Sequence, residues 1–327
     1  MAAAGFGFNY YIWAMRRTLT IGTEISIIGY KCAMEDFVAD HVIELPSDVL
    51  LDIRQEPHHA DTVIHRHQFS ELVIVTRGSA LHRSPGGVHP IGAGDVFVLH
   101  GNQYHGYSES DALELINILF RMEQLALPLR DIDSLPGYHV LFTLEPALRE
   151  QDNFESRLQL SAEQLNAVEV RVQAMLRERE VRAPGCQFAM LAHFMLIVCD
   201  LCRFYSHLDT PEARSLLRLG SVLGYMRQNF ADPITLDQLA EVGCMSRRTL
   251  TREFREVLGS SPIDYLIRER IGRAKEMLED SSMTISEVAY RVGFQDSNYF
   301  SRKFREVTGV SPRGLRRVAG HQMKREY

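Results

Sequence analysis

Hydrophobic and polar positions change their rhythm once along this chain. Between residues 42 and 120, runs rich in Val, Ile and Leu (ELVIVTRG, ALHRSPGGVHPI, GDVFVLHG, ALELINILF) are punctuated by Gly78, Pro85-Gly86-Gly87 and Gly92. Strand-length apolar runs cut by turn residues predict a small antiparallel barrel or sandwich. The segment LPGYHVLFTLEPALRE, from Leu135, reads as a connection. From Ser161 the spacing becomes helical. Leu165, Val168, Val172, Met175 and Leu176 recur three and four apart behind Ser161 as N-cap, with Gln164 three positions on. APGC interrupts this pattern. QFAMLAHFMLIVCDLCRFYS follows, apolar almost all round, so it must be buried in its own core or against a second subunit. SHLDTPEARS reads as the link to a last domain.

That last domain carries one pattern twice. GCMSRRTLTREFREVLGSSP spans residues 243–262, and GFQDSNYFSRKFREVTGVSP spans 293–312. Each is preceded by a short amphipathic helix, TLDQLAEV from Thr235 or TISEVAYRV from Thr284, with the threonine suited to the cap. A tight turn containing Gly243 or Gly293 leads to a second helix, which starts after Ser246 or Asp296. Leu250/Phe254 and Phe300/Phe304 form the core faces of these second helices. Gly259 and Gly309 end them, and Ser261-Pro262 and Ser311-Pro312 start the next. Two helices joined through such a turn form a helix-turn-helix, here 235–254 and 284–304.

The second helix of such a unit enters the DNA major groove. In the first copy Arg248 and Arg252 stand four apart, on a face away from Leu250 and Phe254. Guanidinium groups so placed suit guanine edges, at roughly 1–3 kcal/mol of discrimination each. In the second copy Asn298 suits adenine and Asp296 suits cytosine, although capping uses the same Asp296 oxygens. The two arginines also fit a solvated basic face. Arg247, Arg302 and Lys303 suit phosphates, which position without specifying. Between the copies, PIDYLIRERIGRAKEMLEDSS is one amphipathic helix of about five turns. Such a spacer suits two probes about one DNA turn, roughly 34 Å, apart.

Charge agrees with this division. The whole chain of 327 residues has a formal net charge of −6, yet residues 216–327 hold 19 Lys and Arg against 14 Asp and Glu. A basic third beside an acidic remainder fits a polyanion partner. Composition, 45% apolar and 24% charged, is that of a globular protein of about two domains. No run of eighteen apolar residues suggests a membrane span. The opening MAAAGFGFNYYIWAMRR sets its arginines after the apolar run and makes a poor signal peptide. Met34 opens MEDFVADHVIEL as a true start would, and residues 1–33 read as an extension. Five scattered cysteines, Cys199 and Cys202 on one helix, fit reducing cytosol better than a disulfide framework.

Residues 220–318, with LAEVGCMSRRTLTREF, YLIRERIGRAKEML and VGFQDSNYFSRKFREVTGVSP, resemble the AraC/XylS transcription regulators. Within that family the likeness is nearest to the L-rhamnose regulators, whose base-contacting positions match Arg248, Arg252, Asp296 and Asn298. The resemblance implies a cytosolic homodimer that binds double-stranded DNA, a small effector and RNA polymerase. It implies no catalytic residues.

VIHRHQFSELVIVTRG carries His65, His67 and Glu71, which share one strand face with Val73, Val75 and, by parity, Arg77. GDVFVLHGNQYH adds His105. These stretches resemble the two cupin motifs, whose histidines and glutamate bind a divalent metal in cupin enzymes. The second motif departs from the pattern, with His100 where proline is common and Asn102 where glycine is common. Three readings stay open: histidines satisfied by backbone groups, a divalent metal on His65, His67, Glu71 and His105, or polar contacts to a sugar from these four and Arg77.

The expected architecture is α+β in two domains. It comprises an extension (1–33), a cupin-like sensor barrel (34–160), a helical connector (161–214), a helical DNA-binding domain (215–320) and a tail (321–327). The dimer contact is expected on 161–205, with AEQLNAVEVRVQAML the better seam. The expected function is a ligand-responsive, sequence-specific regulator, an activator of sugar utilisation. The alternatives are a cupin metalloenzyme with an accessory helical domain and a regulator whose barrel answers to a protein partner.

Overall fold

The run Leu72–Val75 is apolar at every position because both faces of its strand are covered. Leu72 and Ile74 enter a large core shared with the helices, while Val73 and Val75 enter a smaller one with Phe97, Leu99, Tyr107, Leu113 and Leu115. The computed structural model describes residues 42–43, 45, 49–122, 125, 129–149, 158–280 and 283–322. These all lie in one unit, Phe37–Tyr327. The expectations for residues 1–33 and for most of the tail lie outside the described residues.

The strands are β1 (Val42–Ile43), β2 (Leu51–Glu56), β3 (Arg66–His67), β4 (Ser70–Ser84), β5 (Gly87–Gly92), β6 (Asp95–Leu99), β7 (Gly106–Phe120) and β8 (Leu158–Gln159). The main sheet has the order β2-β7-β4-β6-β8, antiparallel throughout, with β5 paired to β4; β1 and β3 pair in parallel beside it. This is the antiparallel, cupin-like layer that the apolar runs predict. One boundary differs. Gly78 bends a single fifteen-residue strand instead of ending one. At Gly78 φ is +71°, and the register of β4 against β7 shifts between Val75 and Arg77 and again between Arg77 and Ser79. A Cβ there would lie 2.2 Å from the Ala112 carbonyl oxygen, so only glycine fits this bulge.

The segment from Leu135 read as a connection is helical instead. After α1 (Leu129–Ile132) come α2 (Pro136–His139), one π turn (Val140–Leu144) and α3 (Glu145–Arg149). Tyr138, Val140, Leu141, Phe142 and Leu144 are all buried, so no polar face remains to give the helical period away. Then follow α4 (Ala162–Val181) and α5 (Cys186–Ser206). The Ser161/Gln164 capping box forms as the spacing predicts. Val168, Val172 and Met175 are spent inside this chain, in the same core as Phe194, Ile197 and Leu201. The seam expected between subunits is therefore used within one.

Helix α5 is long and apolar enough to cross a membrane by length and composition, and it packs against α4, α2 and β2. Only part of it is buried, for Phe188 is 78% exposed and Leu196 45%. The link to the last domain is short, because Thr210 already caps α6 (Pro211–Gln228).

The C-terminal helices are α7 (Leu236–Val242), α8 (Arg247–Leu258), α9 (Pro262–Asp280), α10 (Ile285–Arg291), α11 (Ser297–Thr308) and α12 (Pro312–Gln322). Leu250, Phe254 and Leu266 join the large core, whereas Ile267, Ile271, Phe300 and Phe304 form a separate one. Helix α9 thus serves both helix-turn-helix cores. It is also tied to the loop after α6, where the Arg270 guanidinium donates to the carbonyls of Phe230 at 2.6 Å and Asp232 at 2.7 Å.

Candidate functional site

The two helix-turn-helix units share one turn geometry. Met245 N–H donates to the Ala240 carbonyl at 2.9 Å, and Phe294 N–H donates to the Ala289 carbonyl at 2.9 Å. The left-handed residue between them is Cys244 (φ +49°) in the first copy and Gly293 (φ +89°) in the second; Gly243 sits at φ −77°. The sequence reading matched Gly243 to Gly293, one residue out of step. After the turn the second copy has one more residue, Gln295, before its cap.

Helix α8 is capped by Ser246 Oγ, which accepts from Thr249 N–H at 3.1 Å. Helix α11 is capped by Asp296 Oδ1, which accepts from Tyr299 N–H at 2.5 Å. Leu250/Phe254 and Phe300/Phe304 are buried, so the opposite faces of α8 and α11 look outward. Arg248, Arg252, Asp296, Asn298 and Arg302 are exposed there.

Their partners differ in kind. Among the described residues Arg248 pairs with no acid. Arg252 lies 3.7 Å from Glu253 and 3.8 Å from Glu256. Arg247 forms a two-point pair with Asp237. Lys303 Nζ lies 2.9 Å from a Glu306 oxygen, whose hydrogen bond raises the ammonium pKa. The Arg302 guanidinium lies over the Tyr299 ring, 5.2 Å from its centroid. Exposed pairs of this kind are worth about 0–1 kcal/mol, so a phosphate displaces them at little cost.

In the barrel, three of the expected groups converge. His67 Nε2 and His105 Nε2 stand 3.4 Å and 3.7 Å from the same Glu71 oxygen. All three side chains are buried. His65, bridged to His105 through the backbone, brings its ring to 4.4 Å from the His105 ring. Burial holds the His105 and His65 imidazoles below their ordinary range, so both are neutral near pH 7; neighbouring histidines lower both further, while the Val63 carbonyl and Glu71 partly offset the shift at His65. Arg77 does not join them. The bulge at Gly78 breaks the alternation beyond Val75, and the Arg77 side chain is 75% exposed, 3.5 Å from Glu114.

The sequence reading missed several buried polar groups. Tyr107 lies two residues beyond His105, so simple alternation would have found it; burial pushes its phenol pKa up. His82 is fully buried, its ring 5.4 Å from Tyr107 and 6.0 Å from His105. It lies beyond the β4 bulge, where parity from Glu71 fails. Arg149 and Glu145 gave no signal because α3 was read as connection.

The Arg149 guanidinium is buried, donates to the Val98 carbonyl and lies 4.8 Å from the Phe97 centroid. Burial lowers its pKa to about 10, with Glu145 and Tyr107 opposing the shift. Glu145, also buried, accepts from the Tyr205 hydroxyl at 2.9 Å. Helix α3 packs against β6 on one side and α8 on another. The barrel wall and the first exposed basic helix are thus one short helix apart.

Comparison with known proteins agrees with both halves. Residues 52–180 match the AraC-like ligand binding domain, and residues 239–318 match a helix-turn-helix domain family. The chain is similar to the HTH-type transcriptional activator RhaR of Pectobacterium carotovorum, at 31% identity over 77% of this chain and 85% of the relative. It is also similar to the HTH-type transcriptional activator RhaS of Escherichia coli, at 31% identity over 79% of this chain and 88% of the relative. RhaS of Klebsiella pneumoniae is 28% identical over 77% of this chain and 86% of the relative.

Proposed function

The chain belongs to the AraC family of transcription regulators, and from that premise we propose that it is a sequence-specific DNA-binding activator governed by a small effector in its barrel. The observation that carries this reading is the pair of capped helices α8 and α11. Each turns a polar face outward, and both are built on one nineteen-residue helix, α9, about 28 Å long. Arg248 and Arg252 read bases in one groove, and Asn298 and the free oxygen of Asp296 read bases in the next. Arg247, Arg302 and Lys303 bind phosphates and set the register.

Effector binding belongs to the polar end of the barrel, at His65, His67, Glu71 and His105. A monosaccharide suits these groups, as does a divalent metal; the resemblance to the L-rhamnose regulators favours that sugar or a similar one. The reading keeps a sensor to 160, a connector over 161–214 and a reader from 215 to 320, with α6 (Pro211–Gln228) running across the limit between the last two. Occupancy reaches the reader through α3, because Arg149 grips the barrel wall, Glu145 grips α5 and the same helix touches α8. An effector changes the reader only by binding two arrangements of α3 unequally. The reading includes a homodimer that contacts RNA polymerase in the cytosol. With α4's inward face spent on its own core, the dimer contact falls to Val170, Val181, Phe188 and Leu196, all exposed.

Arg248→Ala tests the reading. Specific binding weakens by about 1–3 kcal/mol, while binding to unrelated DNA changes far less. Equal losses on both would make Arg248 a phosphate contact and remove the basis for base reading by α8.

A further inference from the structure

We propose that the sensor and the first helix-turn-helix unit form one cooperative body, clamped at Arg227, beside an autonomous second unit, so that the state of the sensor governs base reading by α8 and not by α11. Only the last clause, on regulation, rests on the reading of the chain as an effector-governed regulator. Leu239 of α7, with Leu250 and Phe254 of α8, is buried in the same core as Ile53, Val96 and Ile118 of the barrel. The second unit has its own core, which includes Ile271, Val288, Phe300 and Phe304 and, among the described residues, none from the barrel or its helices. Phe230 borders both cores, and α9 contributes to both. Burial of apolar surface is the main resistance to local opening, so residues of one core open together.

Helix α6 makes the joint between the sensor and the first unit. Gly220 and Gly224 stand four apart, on one face. A Cβ at Gly220 would lie 2.5 Å from the Pro136 carbonyl oxygen, and one at Gly224 would lie 2.5 Å from that of Asp133. The backbone of α6 therefore meets the backbone of the sensor where the chain enters α2, an approach that no side chain permits. Other residues of α6 serve the reader. Ser215 Oγ donates to a Glu253 oxygen on α8 at 3.4 Å. Val222 faces the turn of the first unit, where a Cβ at Gly243 would stand 3.0 Å from its Cγ2.

Charge closes the joint at the far end of α6. Arg227 Nη1 stands 3.4 Å from an Asp133 oxygen of the sensor, and its Nε stands 3.7 Å from a Glu269 oxygen of α9. Glu269 in turn lies 3.4 Å from Arg273. Burial pushes the Asp133 pKa up, and Arg227 and Arg273 oppose that shift. The Asp133 side chain is only 7% exposed, so removing the cation it shares with Glu269 costs far more than breaking an exposed pair. Arg227 is thus a positioning residue: it holds a sensor turn and the start of α9 to one helix.

The test compares two full-length variants with wild type by amide hydrogen exchange. Ile53→Val removes one buried methylene from β2, inside the sensor. Exchange in α2, α7 and α8 should quicken by one common factor of about five, with α10 and α11 unchanged. Arg227→Gln should quicken α7 and α8 at least tenfold, again without moving α10 and α11. If Ile53→Val leaves α7 and α8 unmoved, sensor and first unit are separate bodies; if α10 and α11 quicken with them, the reader is a single body. Either result overturns the proposal, and Ile53→Val decides should Arg227→Gln unfold. Hydroxyl-radical footprinting on a selected promoter fragment runs beside it. Arg227→Gln should weaken the patch under α8 at least tenfold and keep the patch under α11, whereas equal weakening of both overturns the autonomy of the second unit. No footprint from wild type, beside the common exchange factor, would sink the regulator reading and leave the joint body standing.

Discussion

Substituting Gly293 by alanine should disable the second reader and leave the first intact. Gly293 holds φ at +89°, and an added Cβ would stand 2.7 Å from the Ala231 carbonyl oxygen and 2.9 Å from its carbon. The left-handed backbone costs a non-glycine residue about 1–2 kcal/mol. The overlap adds about 1–3 kcal/mol, because the obstacle is backbone and not the end of a flexible side chain. Lower entropy of the unfolded alanine chain returns about 0.4–1 kcal/mol. The net local cost is therefore about 3 kcal/mol, a factor of roughly a hundred in the opening of α10 and α11.

Gly309 provides the control. Its φ is +78°, but nothing lies within 4 Å of its added Cβ, so Gly309→Ala carries only the backbone strain. That amounts to about 1–2 kcal/mol before the same entropy offset. Amide hydrogen exchange measures both variants. Gly293→Ala should speed exchange in α10 and α11 by about two orders of magnitude, and Gly309→Ala by less than tenfold, with α7 and α8 unchanged in both. Equal acceleration by the two substitutions would refute the claim that contact with the Ala231 loop fixes the second unit.

Other consequences are as direct. His139, whose Nε2 donates to the Asp133 carbonyl at 2.9 Å, is held down to about 4, mainly by burial; that carbonyl partly offsets the shift and Arg227 adds to it. The unfolded chain binds this proton near 6.5, so stability is whole above that pH and falls as pH drops toward 4, by on the order of 3 kcal/mol. His139→Gln should flatten that part of a urea-unfolding pH profile. Tyr205→Phe removes the donor to buried Glu145 and should cost about 1–3 kcal/mol in denaturant; it should also reduce the effect of effector on DNA affinity. Asn298→Ala should relax base preference at one position of the selected site without changing the salt dependence of binding.

Much of this was legible because local signals and tertiary packing agree. Thr235, Ser246, Thr284 and Asp296 all cap the helices they were read to cap. The 250/254 and 300/304 pairs are buried as their spacing requires. His67, Glu71 and His105 converge although a bend at 68–69 separates β3 from β4, so the single extended strand expected over 65–75 is broken there and alternation holds only from Glu71 through Val75. Parity then fails at the Gly78 bulge, which is why Arg77 was misread and His82 overlooked. Helix α3 was hidden for another reason. A helical segment with little polar face has no 3.6-residue pattern, so Glu145 and Arg149 carry no sequence signal although they join barrel to reader. The expected dimer seam on α4 is a real apolar stripe, but a stripe does not say which surface covers it, and here α5 and the barrel do.

Hydroxyl-radical footprinting of the full-length protein on a selected promoter fragment tests the central claim most directly. One subunit should protect two patches on the same face of the duplex, about 10 base pairs apart, and Gly293→Ala should erase one of them. Protection confined to a single groove, or two patches that survive in Gly293→Ala, would contradict the account.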